Sequence, residues 1–128
     1  MATTNSIEAP QFRAVHRYAR ITARKARLIA DAIRGKQVNE ALDFLEFAPQ
    51  RAAAFYLKVL KSAVANAAQS EQVNVNRLVV CDSRADDGPL LNNRMRFRPG
   101  PQGRAMPYRK RTSHLTVVVR EAGDDATA

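Results

Sequence analysis

GPLLNNRMRFRPGPQGRAMPYRKRTSHLTVVVR, residues 88–120, holds eight Arg or Lys (Arg94, Arg96, Arg98, Arg104, Arg109, Lys110, Arg111 and Arg120), no Asp or Glu, and four prolines (Pro89, Pro99, Pro101 and Pro107). Like charges repel, few large apolar side chains are available to bury, and proline removes ladder donors, so the segment has little means of holding itself together. A polyanion would supply its order. Apolar, strand-like runs lie on either side, residues 78–81 before it and residues 115–119 after it. Paired antiparallel, these runs make the segment a hairpin arm whose turn, at residues 100–103, lies about a dozen residues out, or roughly 40 Å. Arg94, Arg96 and Arg98 alternate with Met95 and Phe97, so an extended backbone puts guanidiniums on one side and apolar groups on the other. Arginine's planar fork suits phosphate and stacks on bases. Phe97 and Tyr108 can stack too.

Outward from the arm, the chain of 128 residues allows one domain with one modest core. Its net charge of +9 is concentrated in two blocks. Residues 11–36 carry eight basic residues against Asp31, and residues 88–120 carry +8, whereas residues 37–87 sum to −2. A basic patch plus a basic arm is the electrostatic footprint of nucleic-acid binding; an anionic membrane surface is the weaker alternative. Cys81 is the single cysteine, which excludes a disulfide framework and fits a reducing, intracellular compartment. It is expected to be a small core residue. No run approaches the length of a membrane span, and residues 1–10 lack the apolar segment of a secretory signal, so the protein is expected to be soluble and cytoplasmic.

Taken in order, residues 1–10 form a flexible N-terminal tail, residues 11–120 a single α+β domain including a hairpin extension at about 82–111, and residues 121–128 a disordered acidic C-terminal tail. Partial alternation over residues 11–19 predicts a strand with Phe12, Ala14, His16 and Tyr18 on one side and Arg13, Val15 and Arg17 on the other. Thr22 caps a first helix that Gly35 ends, with Ala26, Ile29, Ala30 and Ile33 as its apolar stripe and Arg24, Arg27, Asp31 and Arg34 opposite. These arginines are equally well a solvated face or a phosphate-binding one. Asn39 caps a second helix through Ala48, turning Ala41, Leu42 and Leu45 inward and Glu40, Asp43 and Glu46 away from any nucleic acid. Pro49 opens a third helix running to about Gln69, with Leu57, Leu60, Val64 and Ala67 or Ala68 on its apolar side.

Catalytic chemistry finds little support. His16 and His114 lie in separate strands, where packing or hydrogen bonding is the commoner role. Asp82, Asp86 and Asp87 are read as turn residues with local ion pairs rather than a cation site, and no Cys or His cluster has metal-ligand spacing. No cofactor is implied. Gly100-Pro101-Gln102-Gly103 has the spacing of an RNA-clamping loop that joins two helices, but it follows Arg96-Phe97-Arg98-Pro99, an extended run, and a plain turn is expected. A free-standing nucleic-acid regulator is the alternative function; it would show a base-reading helix or a dimer seam, and neither is legible, so self-association is not expected.

Several of these runs carry a resemblance: Lys110-Arg111-Thr112-Ser113-His114 leading into residues 115–119, with support from ARKARLIADAIRGK at 23–36, SAVANAA at 62–68, Asp87-Gly88-Pro89 and Gly103-Arg104-Ala105. Together they resemble the L twenty-two family of bacterial large-subunit ribosomal proteins over nearly the whole chain outside the tails. The resemblance implies three helices packed on a small three-stranded antiparallel sheet, with a long basic β-hairpin extension reaching through ribosomal RNA to the wall of the polypeptide exit tunnel. It implies a structural constituent of the ribosome without enzymatic activity, its partners being large-subunit ribosomal RNA, neighbouring large-subunit proteins and the nascent polypeptide. Carried over, Arg17, Arg20, Arg24, Lys25 and Lys36 match the basic face of the body. Arg104, Arg109, Lys110, Arg111 and Thr112 match RNA-contacting positions, and Arg94, Arg96 and Arg98 join them as arm residues expected on RNA. Met95, Arg96, Phe97, Arg98, Gly100 and Gln102 are the candidates for the tunnel-facing tip. There the chain departs from the family, having Arg98-Pro99-Gly100-Pro101-Gln102-Gly103-Arg104 in place of a dense Pro-Arg-Ala-Arg-Gly-Arg type of run, and Asn92 and Asn93 in place of basic residues.

Overall fold

A computed structural model describes residues 10–122. Of the expected tails only Pro10, Glu121 and Ala122 fall within this range. The element order is β1 (Gln11–Ala19), α1 (Ala23–Ile33), α2 (Val38–Phe47), α3 (Arg51–Ala68), β2 (Leu78–Leu90), β3 (Arg96–Pro99), β4 (Ala105–Tyr108) and β5 (Arg111–Glu121). Three helices cover one face of an antiparallel sheet of order β1-β5-β2, and β3 with β4 forms a separate two-stranded hairpin. The expected α+β class is the observed one.

The central strand β5 reads Leu115-Thr116-Val117-Val118-Val119, apolar almost throughout, because it has a neighbour on both edges and is buried on both faces. Leu115, Val117 and Val119 turn toward the helices with no exposed surface. In β1, Phe12, Ala14 and His16 stand opposite Val119, Val117 and Leu115, as the alternation predicts. Beneath them α1 buries Ala23, Ala26, Ile29, Ala30 and Ile33. Each fully buried isoleucine contributes roughly 1.5–3 kcal/mol. That outweighs the Thr22 cap, whose hydroxyl accepts from the Lys25 N–H at a loose 3.5 Å.

Several boundaries differ from expectation. The second helix starts at Val38 with Gln37 at the cap, because Gln37 bridges to Val79 of β2 and is held extended; Asn39 lies inside the helix. Pro49 precedes α3 by two residues and instead stops α2, since the residue before proline avoids helical geometry and Ala48 is extended, with ψ 132°. The buried stripe of α3 is Ala52, Ala53, Tyr56, Val59, Leu60, Ala63 and Ala67, with Leu57 and Val64 on its flank. Asp82, Asp86 and Asp87 are not turn residues but part of β2, paired opposite Val118, His114 and Ser113. Cys81 is the extra residue of a bulge between Val80 and Asp82 and is only half-buried. Burial raises its thiol pKa, and its Sγ–H donates to the Val118 carbonyl at 3.4 Å.

Side chains of α1, its C-cap and α3 bond to successive backbone carbonyls of β2. Arg34 donates to the Ser83 carbonyl, the Tyr56 hydroxyl to that of Arg84 at 3.2 Å, and Arg27 Nε to that of Ala85 at 3.2 Å. These bonds tie β2 to α1 and α3. Ser83 and Ala85 are buried, and further along β2 a bulge sets Gly88 and Pro89 both opposite Thr112. A Cβ on Gly88 would lie 2.7 Å from Thr112 Oγ1 and 3.2 Å from its backbone. That hydroxyl cannot swing away freely, because it donates to the Pro89 carbonyl at 2.6 Å. Gly88→Ala is expected to destabilise the body by about 1–3 kcal/mol; an unchanged denaturation midpoint would contradict this close approach.

Candidate nucleic-acid interface

The arm begins beyond Leu90 and Arg111, the last pair of the β2–β5 ladder. A short 3-10 turn, Leu91–Asn93, then breaks the strand, and the Leu91 N–H donates to the Lys110 carbonyl at 2.8 Å across the root. β3 and β4 pair Arg96 with Tyr108, Phe97 with Pro107, Arg98 with Met106 and Pro99 with Ala105. Directly opposed residues share a face. One face is therefore Phe97, Pro99, Ala105 and Pro107, and the other is Arg96, Arg98, Met106 and Tyr108. Arg98 stacks its guanidinium 4.3 Å from the Tyr108 ring centre, which holds the charge along the strand. The tip is a plain turn, with the Gly100 N–H donating to the Arg104 carbonyl at 2.7 Å and Gln102 and Gly103 at positive φ.

Residues 92–99 and 101–107 are all exposed. Among the described residues no arm arginine pairs with a carboxylate; the ion pairs join Arg27 to Asp87, Arg34 to Asp31, Arg77 to Glu121 and Arg84 to Asp82. A two-stranded hairpin that buries nothing has little stability of its own. The tip candidates Met95, Arg96, Phe97, Arg98 and Gln102 are exposed and Gly100 is partly covered. Phe97, at 61% exposed, is among the most exposed large apolar side chains described.

On the body, Arg17, Arg20, Arg24 and Lys25 are exposed, as are Arg109, Lys110 and Arg111 at the arm's root. The structure divides the arginines of α1. Arg27 and Arg34 are committed to β2 carbonyls and to Asp87 and Asp31, whereas Arg24 makes no ion pair among the described residues. Lys36 is partly covered, its ammonium 4.3 Å above the Phe44 ring. Thr112 differs from the rest: it is 3% exposed and its hydroxyl is already engaged with Pro89. It holds the root together and presents nothing to solvent. Arg13 and Arg120 are exposed on the face of the sheet away from the helices, Arg13 opposite Val118 and Arg120 opposite Gln11. The alternation Arg13, Val15, Arg17 carried the signal for that face.

The histidines have structural partners. The His114 ring accepts the Tyr18 N–H at Nδ1, 3.1 Å away, and His16 packs 5.6 Å from the Phe55 ring. Among the described residues no group of three or more His, Cys, Asp or Glu is placed to hold a metal ion. No described helix is long and apolar enough to cross a membrane.

A basic α+β body whose sheet extends into an arm of arginines that, among the described residues, pair with no carboxylate defines a class: small basic proteins with an exposed cationic arm. The profile of the family "Ribosomal protein L22p/L17e" matches residues 14–120, and the chain belongs to that family. It is 47% identical over 120 residues, 94% of this chain and 96% of the relative, to the large ribosomal subunit protein uL22 of Caldicellulosiruptor saccharolyticus. It is 48% identical over 109 residues, 85% of this chain and 96% of the relative, to the large ribosomal subunit protein uL22 of Clostridium novyi.

Proposed function

We propose that this protein is a structural, non-enzymatic constituent of the large ribosomal subunit, working in the bacterial cytoplasm as part of the ribosome. It binds and organises large-subunit ribosomal RNA among neighbouring ribosomal proteins. The observation that carries the RNA contact is the set of arm cations, Arg94, Arg96, Arg98 and Arg104, exposed and, among the described residues, without carboxylate partners, in a chain that belongs to a ribosomal protein family. Phosphates supply the missing counter-charge. Arg109, Lys110 and Arg111 fix the root, and Arg17, Arg20, Arg24, Lys25 and Lys36 fix the body.

The arm's two faces divide the work. The face with Arg96, Arg98 and Tyr108 lies on RNA, guanidiniums on phosphate and the ring available for stacking. The face with Phe97 and Pro107, together with the turn at Gly100 and Gln102, borders the passage through which the nascent polypeptide leaves. If about ten phosphates are neutralised, log affinity for a large-subunit rRNA transcript falls with log salt by several units per decade. A flat salt response counts against phosphate anchoring. In a lysate gradient the protein should sediment with large subunits; free migration would instead favour a regulator acting off the ribosome.

A further inference from the structure

At the root of the arm the β1–β5 register slips, and Arg17 and Tyr18 both stand opposite His114. Tyr18 has φ +58°, a left-handed conformation that a bulky side chain adopts only where its surroundings impose it. The alternation of β1 predicts this ring on the buried side. Instead the slip turns it out to 60% exposure, braced edge-on against His114 with ring centres 5.0 Å apart. Beside it is a half-open cavity of about 220 Å³ floored by Leu90 and Leu91 and edged by Asn92 and Asn93. Asn92 and Asn93 are also held at positive φ, 59° and 56°. Three of the four described non-glycine residues with positive φ thus line this one cavity.

The lining is chemically specific. It offers one aromatic wall, an apolar floor and a rim of two amides, each carrying donors and an acceptor. Its walls include no carboxylate, and exposed cations flank it along the chain: Arg17 and Arg20 beside Tyr18, and Lys110 and Arg111 before Thr112. An unpaired nucleobase needs that combination, a flat face to stack on, groups to meet its edge, and positive charge for the phosphates on either side. We propose that the cavity receives a single flipped-out base of the large-subunit RNA, with Tyr18 as its stacking platform and Asn92 and Asn93 meeting its edge. This rests on the proposed RNA-binding function and adds a base-specific contact to a surface otherwise made of phosphate contacts.

Tyr18→Gly removes the ring while keeping the backbone, since glycine takes positive φ without strain. Tyr18→Phe keeps the stacking face. Each full-length variant is bound to a large-subunit rRNA transcript, with the sugar–phosphate backbone footprinted by hydroxyl radicals and the bases probed by base-specific reagents. The expected result is one unpaired base shielded by the wild type and by Tyr18→Phe. With Tyr18→Gly that base becomes reactive, the remaining footprint persists, and affinity falls on the order of tenfold. Identical base reactivity for Tyr18→Gly and wild type, with both footprints intact, overturns the nucleobase site and leaves RNA binding standing. A wild type that leaves no footprint overturns both. Shielding that needs other ribosomal proteins assigns the cavity to a protein side chain and overturns the proposal.

Discussion

Replacing Arg96, Arg98 and Arg104 together by glutamine is expected to weaken binding to large-subunit rRNA by roughly a thousandfold while leaving the melting temperature of the body unchanged. Each side chain is exposed and, among the described residues, pairs with no carboxylate, so its charge is available to phosphate. A hydrogen bond to a charged group contributes about 1.5–3 kcal/mol, and the lower figure is close to tenfold in affinity. The salt slope should fall by about one for each phosphate no longer neutralised, hence by about three. Stability is spared because β3 and β4 pair with each other and bury nothing under the helices. Titration of a labelled transcript at several salt concentrations, beside a thermal melt, measures both. An unaltered slope would place these arginines off the phosphates. A large fall in melting temperature would mean that the arm supports the body.

The second large effect lies in the core. Tyr56 has no exposed surface, and its hydroxyl reaches the Arg84 carbonyl on the edge of β2. Tyr56→Ala is expected to cost about 3–5 kcal/mol through the cavity it leaves, a large part of the roughly 5–15 kcal/mol that holds a domain folded. Tyr56→Phe keeps the ring and forfeits only the hydroxyl, about 1 kcal/mol. Chemical denaturation of the three proteins checks the order; an alanine variant as stable as the phenylalanine one would show that α3 does not pack through this ring. Burial, opposed in part by the nearby Arg34, pushes the phenol well above its ordinary value. The unfolded chain ionises this phenol near its usual pKa of about 10, and the folded one does not. The contribution is therefore complete below pH 10 and diminishes as the pH rises beyond it. The phenylalanine variant lacks that component of the alkaline loss.

How far the sequence reveals this molecule depends on which forces are local. The stripe of α1, the inward side of β1 as far as His16 and the apolar β5 follow from periodicity, because one buried face imposes a period on the chain. Where two elements negotiate, periodicity fails. Gln37 starts α2 because Val79 holds it, and Asp82, Asp86 and Asp87 join β2 because β5 is beside them. Tyr18 turns outward because a register slip exchanges the faces of the strand. The arm's cations were legible as charge without countercharge. Thr112 was not: it entered only through the family resemblance, and the fold shows its hydroxyl donating to the Pro89 carbonyl. The two faces of the arm were foreshadowed by alternating Arg and Phe, but the place of Met106 and Tyr108 depended on the β3–β4 register.

The strand at the centre of the sheet is also the last of the described elements in chain order. β1 and β2 hydrogen-bond to it, not to each other, so neither has its mate until the final stretch has been made. Synthesis from the N-terminus thus produces three helices and two orphan strands, then the arm with its own β3–β4 hairpin, before the three-stranded sheet can close. Such pairing between distant parts of a chain is slow and leaves sticky edges open meanwhile. A message cut short anywhere within the arm would yield a product with arginines on display and no completed body behind them. Closure of the three-stranded sheet therefore waits on β5, whose synthesis follows that of the arm.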